Sequence, residues 1–124
     1  MANKVLTDKA PMAIGPYSQA IICGGFVFTS GQIPINPKTS NIEAKTITEQ
    51  TEQVMINLGE VLRAAGSSYE KAVKTTCFLA NMSDFAAFNE VYAKYFTEKP
   101  ARSCVAVKDL PRGVLVEVEV IAEI

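Results

Sequence analysis

The spacing of apolar residues changes along the chain from alternation to a helical repeat and back, and each change marks an element. Tyr17-Ser18-Gln19-Ala20-Ile21-Ile22-Cys23 and Phe26-Val27-Phe28-Thr29-Ser30-Gly31-Gln32-Ile33 flank Gly24-Gly25. Two successive glycines supply the positive φ of a tight hairpin turn, so these runs are expected to pair antiparallel, with Tyr17 close to the Ser30-Gly31 corner. Val5-Leu6 is a further short strand ahead of a linker over residues 10–16, and residues 34–41 form a loop. Thr46 and Glu49 then stand at capping-box spacing before Val54, Leu58, Val61, Leu62 and Ala65, which recur on one helical face and stop at Gly66. Residues 72–80 are the next strand; reached through a helix, it is expected to run parallel to its predecessor by a right-handed crossover. A second helix, capped by Asn81 or Ser83, carries Phe85, Phe88, Tyr92, Tyr95 and Phe96 as an aromatic stripe that reads as core.

Pro100 suits the first residue of a strand because it fixes φ and donates nothing to a ladder. Beyond it, Arg102, Cys104 and Ala106 share one face, and Ser103, Val105 and Val107 the more apolar other. Residues 114–121 alternate as well, and Asp109-Leu110-Pro111-Arg112-Gly113 reads as a turn, which makes the two runs a hairpin. With Val107 opposite Val114, Cys104 would lie across from Glu117 and Arg102 across from Glu119, with valines lining the core face. The order strand, hairpin, helix, strand, helix, hairpin is an α+β layout with helices over one sheet face. Yet Ile21-Ile22-Cys23, Phe26-Val27-Phe28 and Cys77-Phe78-Leu79 are apolar at successive positions, as in sheets covered on both sides. Another subunit is the simplest second cover, and it would put Arg102, Cys104 and Glu117 in an intersubunit cleft.

Composition narrows the chemistry. The 124 residues, 48% hydrophobic and 20% charged, fit one domain spanning residues 1–124. No signal-like or membrane-spanning apolar run occurs, so a cytoplasmic location is expected. Cys23, Cys77 and Cys104 are odd in number and far apart, which fits reduced thiols, two of them small core residues. A net charge of -1 without a basic stripe offers no footprint for a phosphate backbone, so nucleic acid is not expected as a partner. The chain has no histidine. That removes Ser-His-Asp and Cys-His catalysis and His-based metal sites, leaving Arg, Glu, Tyr, Cys, hydroxyls, amides and backbone groups for any reaction.

From the residues alone, the Arg102-Cys104-Glu117-Glu119 face is either a ligand site or a salt-bridged surface. Gly31 either brings backbone N–H groups to a ligand or marks a bulge, and Asn89 is either a ligand contact or a satisfied structural amide. The motifs Ile14-Gly15-Pro16-Tyr17-Ser18-Gln19-Ala20, Thr29-Ser30-Gly31-Gln32-Ile33-Pro34, residues 85–92 with Asn89, Pro100-Ala101-Arg102-Ser103-Cys104-Val105 and Val116-Glu117-Val118-Glu119 together resemble the Rid (YjgF-like) family of reactive-intermediate deaminases, nearly end to end. The resemblance implies a chorismate-mutase-like α+β fold, a mixed sheet of about six strands with two helices on one face. It implies a homotrimer with intersubunit clefts, and hydrolysis of 2-imino acids such as 2-iminobutanoate and 2-iminopropanoate to 2-oxo acids and ammonia. The matching site positions are Tyr17, Ser30, Gly31, Asn89, Arg102, Cys104 and Glu117. Arg102 would clamp the substrate carboxylate, Glu117 would orient or deprotonate water, and Tyr17 would close the cleft. Cys104 either takes part or merely lines the pocket, with Arg102 near enough to lower its pKa. No cofactor or metal is expected. The competing functions are a regulatory trimer that holds small carboxylates without turnover, and an RNA-directed inhibitor of translation.

Overall fold

Gly24 and Gly25, at φ 61° and 84°, turn the chain between β2 (Ala20–Cys23) and β3 (Phe26–Thr29), whose register pairs Cys23 with Phe26 and Ala20 with Thr29. The strand run is shorter than the apolar run: Tyr17 lies outside β2, and Gln32 rejoins the sheet only as a bridge to Val118. Ahead of the hairpin, β1 (Asn3–Val5) pairs antiparallel with β2, and Leu6 falls beyond it, exposed. The computed structural model that shows this describes residues 2–124.

Helix α1 (Ile47–Ala64) begins and ends where its sequence signals stand. The Thr46 Oγ1 accepts from the Glu49 N–H at 3.2 Å while Glu49 Oε1 accepts from the Thr46 N–H at 3.4 Å. Such a reciprocal cap contributes about 1 kcal/mol. At the other end Gly66 takes φ 80°, Ser67 N donates to Leu62 O at 2.8 Å and Gly66 N to Arg63 O at 3.0 Å. This left-handed stop satisfies carbonyls the helix would otherwise orphan. Helix α2 (Phe85–Tyr95) departs from expectation at its start: a 3₁₀ turn over Met82–Asp84 leads into it, and neither Asn81 nor Ser83 caps it by side chain. The Asp84 N–H is instead met by the Asn81 carbonyl at 3.1 Å. Its Phe88 and Tyr92, with Phe96 just beyond, are buried as the aromatic stripe requires.

The remaining strands are β4 (Ala72–Leu79), β5 (Ala101–Ala106) and β6 (Val116–Glu123), and the sheet order is β1-β2-β3-β6-β4-β5. Because β3 and β4 are each antiparallel to β6, they run parallel to one another with β6 between them. The expected β5–β6 hairpin does not form. Strand β5 pairs parallel with β4, and residues 107–115 carry the chain past the end of β4 before β6 enters between β3 and β4. Val107 N bonds Leu79 O at 2.9 Å and Ala80 N bonds Leu115 O at 3.0 Å along the way. The physical reason is coverage. A central position gives β6 neighbours on both sides and buries Val116, Val118 and Val120 almost completely, which an outer hairpin strand could not do.

Register then decides faces. Cys77 is opposite Cys104 on one side and Val118 on the other, so Cys104 and Arg102 lie on the helix-covered face. Glu117, opposite Phe78, and Glu119, opposite Thr76, lie on the uncovered face. Cys104 therefore does not face Glu117, nor Arg102 Glu119, and Ser103 and Val105 are exposed rather than core. Among the described residues no helix is long and apolar enough to cross a membrane.

Candidate functional site

The expected site residues form two groups on this chain. The first is built on the open face. Ser30 closes the hairpin's end, its N–H on Gln19 O at 2.9 Å and its Oγ donating to Ser18 O at 2.6 Å. The paired bonds between Gln32 and Val118, at 2.9 and 3.2 Å, then lay Gly31 against Glu117. A Cβ at position 31 would sit 2.8 Å from the Glu117 Cδ and closer still to a carboxylate oxygen, so only glycine leaves that carboxylate where it is. Gly31 is thus a close-approach residue rather than a bulge, and its N–H has no acceptor among the described residues. Tyr17, 53% exposed, stands over the same cavity, which has a volume of about 700 Å³ and is also lined by Ser30, Gly31, Glu117, Glu119 and Arg112. Burial, and secondarily the Glu119 carboxylate on the same strand face, raises the Glu117 pKa above the usual glutamate value.

Two buried amides that the sequence reading did not single out hold this cavity's walls. Gln19, 2% exposed, donates to Pro11 O at 2.8 Å and Thr7 O at 3.0 Å and accepts from Thr7 N at 2.8 Å. Asn57 on α1, with no exposure, donates to Ile35 O at 2.9 Å and Ile33 O at 3.1 Å. The signal was available for Asn57: an uncompensated amide inside an apolar helical stripe needs buried partners.

The second group sits where α2 crosses the edge strand β5. Asn89 Oδ1 accepts from Arg102 Nη1 at 2.7 Å, so the amide is a partner of the arginine. The guanidinium carbon lies 4.8 Å from the Tyr92 ring centroid and 5.4 Å from that of Phe85, distances at which a cation is attracted to an aromatic face. No carboxylate pairs with it: the ion pairs among the described residues are Arg63–Glu60 and Lys94–Glu52. A half-buried guanidinium with one hydrogen bond and no counter-ion keeps four donors for an incoming anion. It borders a cavity of about 360 Å³ shared with Asn89, Tyr92, Lys99 and Pro100. Cys104 follows Arg102 on the same strand face, beside buried Cys77. Burial raises the Cys104 pKa by more than Arg102 lowers it, so of the two roles left open for Cys104 the environment does not favour a reactive thiolate.

These two groups do not meet within the chain. Strand β4 separates β5 from β6, and the Arg102 and Glu117 side chains leave the sheet on opposite faces. With adjacent strands ~4.8 Å apart, β5 and β6 lie ~10 Å apart, and Arg102 is level with Thr75 while Glu117 is level with Phe78, three residues further along. Among the described residues no cluster of three or more His, Cys, Asp or Glu is disposed to hold a metal ion.

Comparison with known proteins gives this geometry its context. The family model described as Endoribonuclease L-PSP matches residues 7–124. Reactive Intermediate Deaminase A of Arabidopsis thaliana, a chloroplastic protein, is 48% identical over 119 residues, covering 95% of this chain and 64% of that protein. A Rid-family protein of unknown function from Yersinia pestis superposes with a TM-score of 0.97 at 48% identity, with 100% of both chains covered. E. coli TdcF, solved with bound serine, gives 0.93 at 42% identity over 98% of both chains. With the family model matching residues 7–124 and near-full-length structural likeness at close to half identity, the chain belongs to the Rid (YjgF-like) family, whose model carries the Endoribonuclease L-PSP description.

Proposed function

We propose that this protein hydrolyses reactive 2-imino acids, such as 2-iminobutanoate and 2-iminopropanoate, to 2-oxo acids and ammonia, in clefts that join the Arg102 group of one subunit to the Glu117 group of the next in a homotrimer. The observation that carries the reading is Arg102, a half-buried cation on an edge strand with its carboxylate-matching donors unspent. A relative named as a reactive-intermediate deaminase and another solved with bound serine, an amino acid, support a substrate of this class. The uncovered sheet face supports the assembly: Phe28 is 43% and Val105 46% exposed there, apolar surface that a second copy would bury.

The chemistry needs modest help. Arg102 takes the carboxylate through its planar fork, while Asn89 and the Tyr92 ring hold the guanidinium. Water adds to the imine carbon as Glu117 accepts its proton, and the carbon–nitrogen double bond shifts its electron pair onto nitrogen. Glu117 returns that proton to nitrogen to give a carbinolamine, and the hydroxyl proton then passes by way of Glu117 to the amino nitrogen as the carbon–nitrogen bond breaks, releasing ammonia and forming the carbonyl. A raised carboxyl pKa suits a group that must take up and release a proton in one turnover. The free Gly31 N–H is a donor for the oxygen that develops, and Tyr17 closes the cleft. Cys104, two residues beyond Arg102 on the same strand face, carries no proton in this scheme.

An assay that generates 2-iminobutanoate in place and follows 2-oxobutanoate tests this. Arg102→Ala is expected to cost about 2 to 5 kcal/mol in kcat/KM, mainly through KM, and Arg102→Lys to recover little of it, because a point charge does not reproduce the fork. Glu117→Gln is expected to lower kcat about 10²- to 10⁴-fold with ligand binding kept. Wild-type protein that binds 2-oxobutanoate yet gives no acceleration would leave the carboxylate-holding trimer as the function. RNA is disfavoured by a net charge of -1 and by the two carboxylates in the larger cavity.

A further inference from the structure

We infer that Tyr92, tethered through its hydroxyl to Thr75, is a positioning residue that fixes the direction of the Arg102 guanidinium and thereby the affinity for the substrate carboxylate; this rests on the deaminase reading above and deepens it. An arginine side chain is long and rotamer-rich, and its fork discriminates only if its plane is held. Here α2 presents Phe85, Asn89 and Tyr92 at helical spacing to one guanidinium. The Asn89 bond fixes one nitrogen, at 2.7 Å, but a single bond leaves the plane free to rotate. The Tyr92 face, 4.8 Å from the guanidinium carbon, is what can set that plane, provided the ring itself does not swing.

The ring is held at both ends. It stacks on Phe96 with centroids 4.5 Å apart and an interplanar angle of 26°. Its hydroxyl lies 2.8 Å from Thr75 Oγ1. Thr75 is fully buried on β4 and is the register partner of Arg102 itself, so the contacts close a ring: Arg102 to Tyr92, Tyr92 to Thr75, and Thr75 back to Arg102 through the parallel ladder. Packing alone does not ask for these hydroxyls. Valine would fill the strand position and phenylalanine the helix position without two polar atoms to desolvate. A hydrogen bond between two such groups adds little net stability, but it does select one ring orientation. The aromatic stripe of α2 is therefore core on one side and an orienting surface for Arg102 on the other.

The test measures binding of 2-oxobutanoate, a stable carboxylate ligand, together with KM and kcat for imine hydrolysis, on the intact assembly of each variant. Tyr92→Phe and Thr75→Val are each expected to weaken binding and raise KM about five- to tenfold, with kcat within about twofold of wild type. The double variant is expected to be no weaker than either single one, because both remove the same tether, and Thr75→Ser is expected to behave as wild type. Losses that add in the double variant, or wild-type binding by both single variants while Arg102→Ala binds weakly, would overturn the positioning role and leave the carboxylate clamp standing. Unimpaired binding by Arg102→Ala would instead overturn the clamp, and the inference with it.

Discussion

Glu117 shows how one residue's environment decides what it can do. Its carboxyl is half-buried between Gly31 and the open sheet face, and Glu119 stands two residues along the same strand. Both burial and the like charge favour the protonated form, so ionisation is delayed to a pH above the ordinary 4.5. Arg112 on the cavity wall and, in the proposed cleft, Arg102 of the next subunit are the cations facing it. Turnover that needs the ionised carboxylate rises with pH through this raised pKa. Removing the Glu119 charge favours ionisation, so Glu119→Gln is expected to move the acid limb of kcat/KM to lower pH, though not fully to 4.5, since burial persists. A limb that stays in place, or moves upward, would show that Glu119 does not act on the base. Glu117, Asn89 and Arg102 stand out in the sequence because each belongs to a short, specific motif, whereas Phe85 and Tyr92 read there only as core. The sequence did not tell that Asn89 serves Arg102, since a lone amide beside an aromatic stripe fits either role until the distance is known.

At the scale of elements, local signals were legible and long-range pairing was not. The Gly24-Gly25 turn, the Thr46–Glu49 cap and the Gly66 stop all stand in the structure where adjacent residues demand them. Val116-Glu117-Val118-Glu119 alternates equally well as a hairpin strand or as a central one, and alternation says nothing about which neighbours it takes. Placing β6 between β3 and β4 sent Glu117 to the face opposite Arg102. The Gly31 contact offers a test of what this placement built. An added methyl collides with the far end of a flexible side chain, so Gly31→Ala is expected to cost little stability, under about 1 kcal/mol, while displacing the carboxylate and lowering kcat at least about tenfold. Full activity in a folded Gly31→Ala protein would mean that the Glu117 position is not what the reaction depends on.

For the whole molecule, the apolar runs of β2, β3 and β4 already called for a second cover on the sheet, and the open face with its exposed Phe28 and Val105 agrees with that demand. What the runs could not disclose is that the sheet sets Arg102 and Glu117 on opposite faces, because that needs the strand order. If each cleft takes Arg102 from one subunit and Glu117 from its neighbour, two inactive variants complement each other. In a cyclic trimer containing both Arg102→Ala and Glu117→Gln subunits, one cleft of the three receives an intact arginine and an intact glutamate, whichever variant is in the majority. Unfolding and reassembling the two variants together in equal amounts is therefore expected to restore about one quarter of wild-type imine hydrolysis, three quarters of the trimers being mixed with one working cleft each. Each variant reassembled alone is expected to stay below about 5% of wild type at substrate well under KM. Mixed assemblies that form, as shown by differently tagged subunits co-purifying, and yet remain as inactive as their parents would contradict a site shared between subunits.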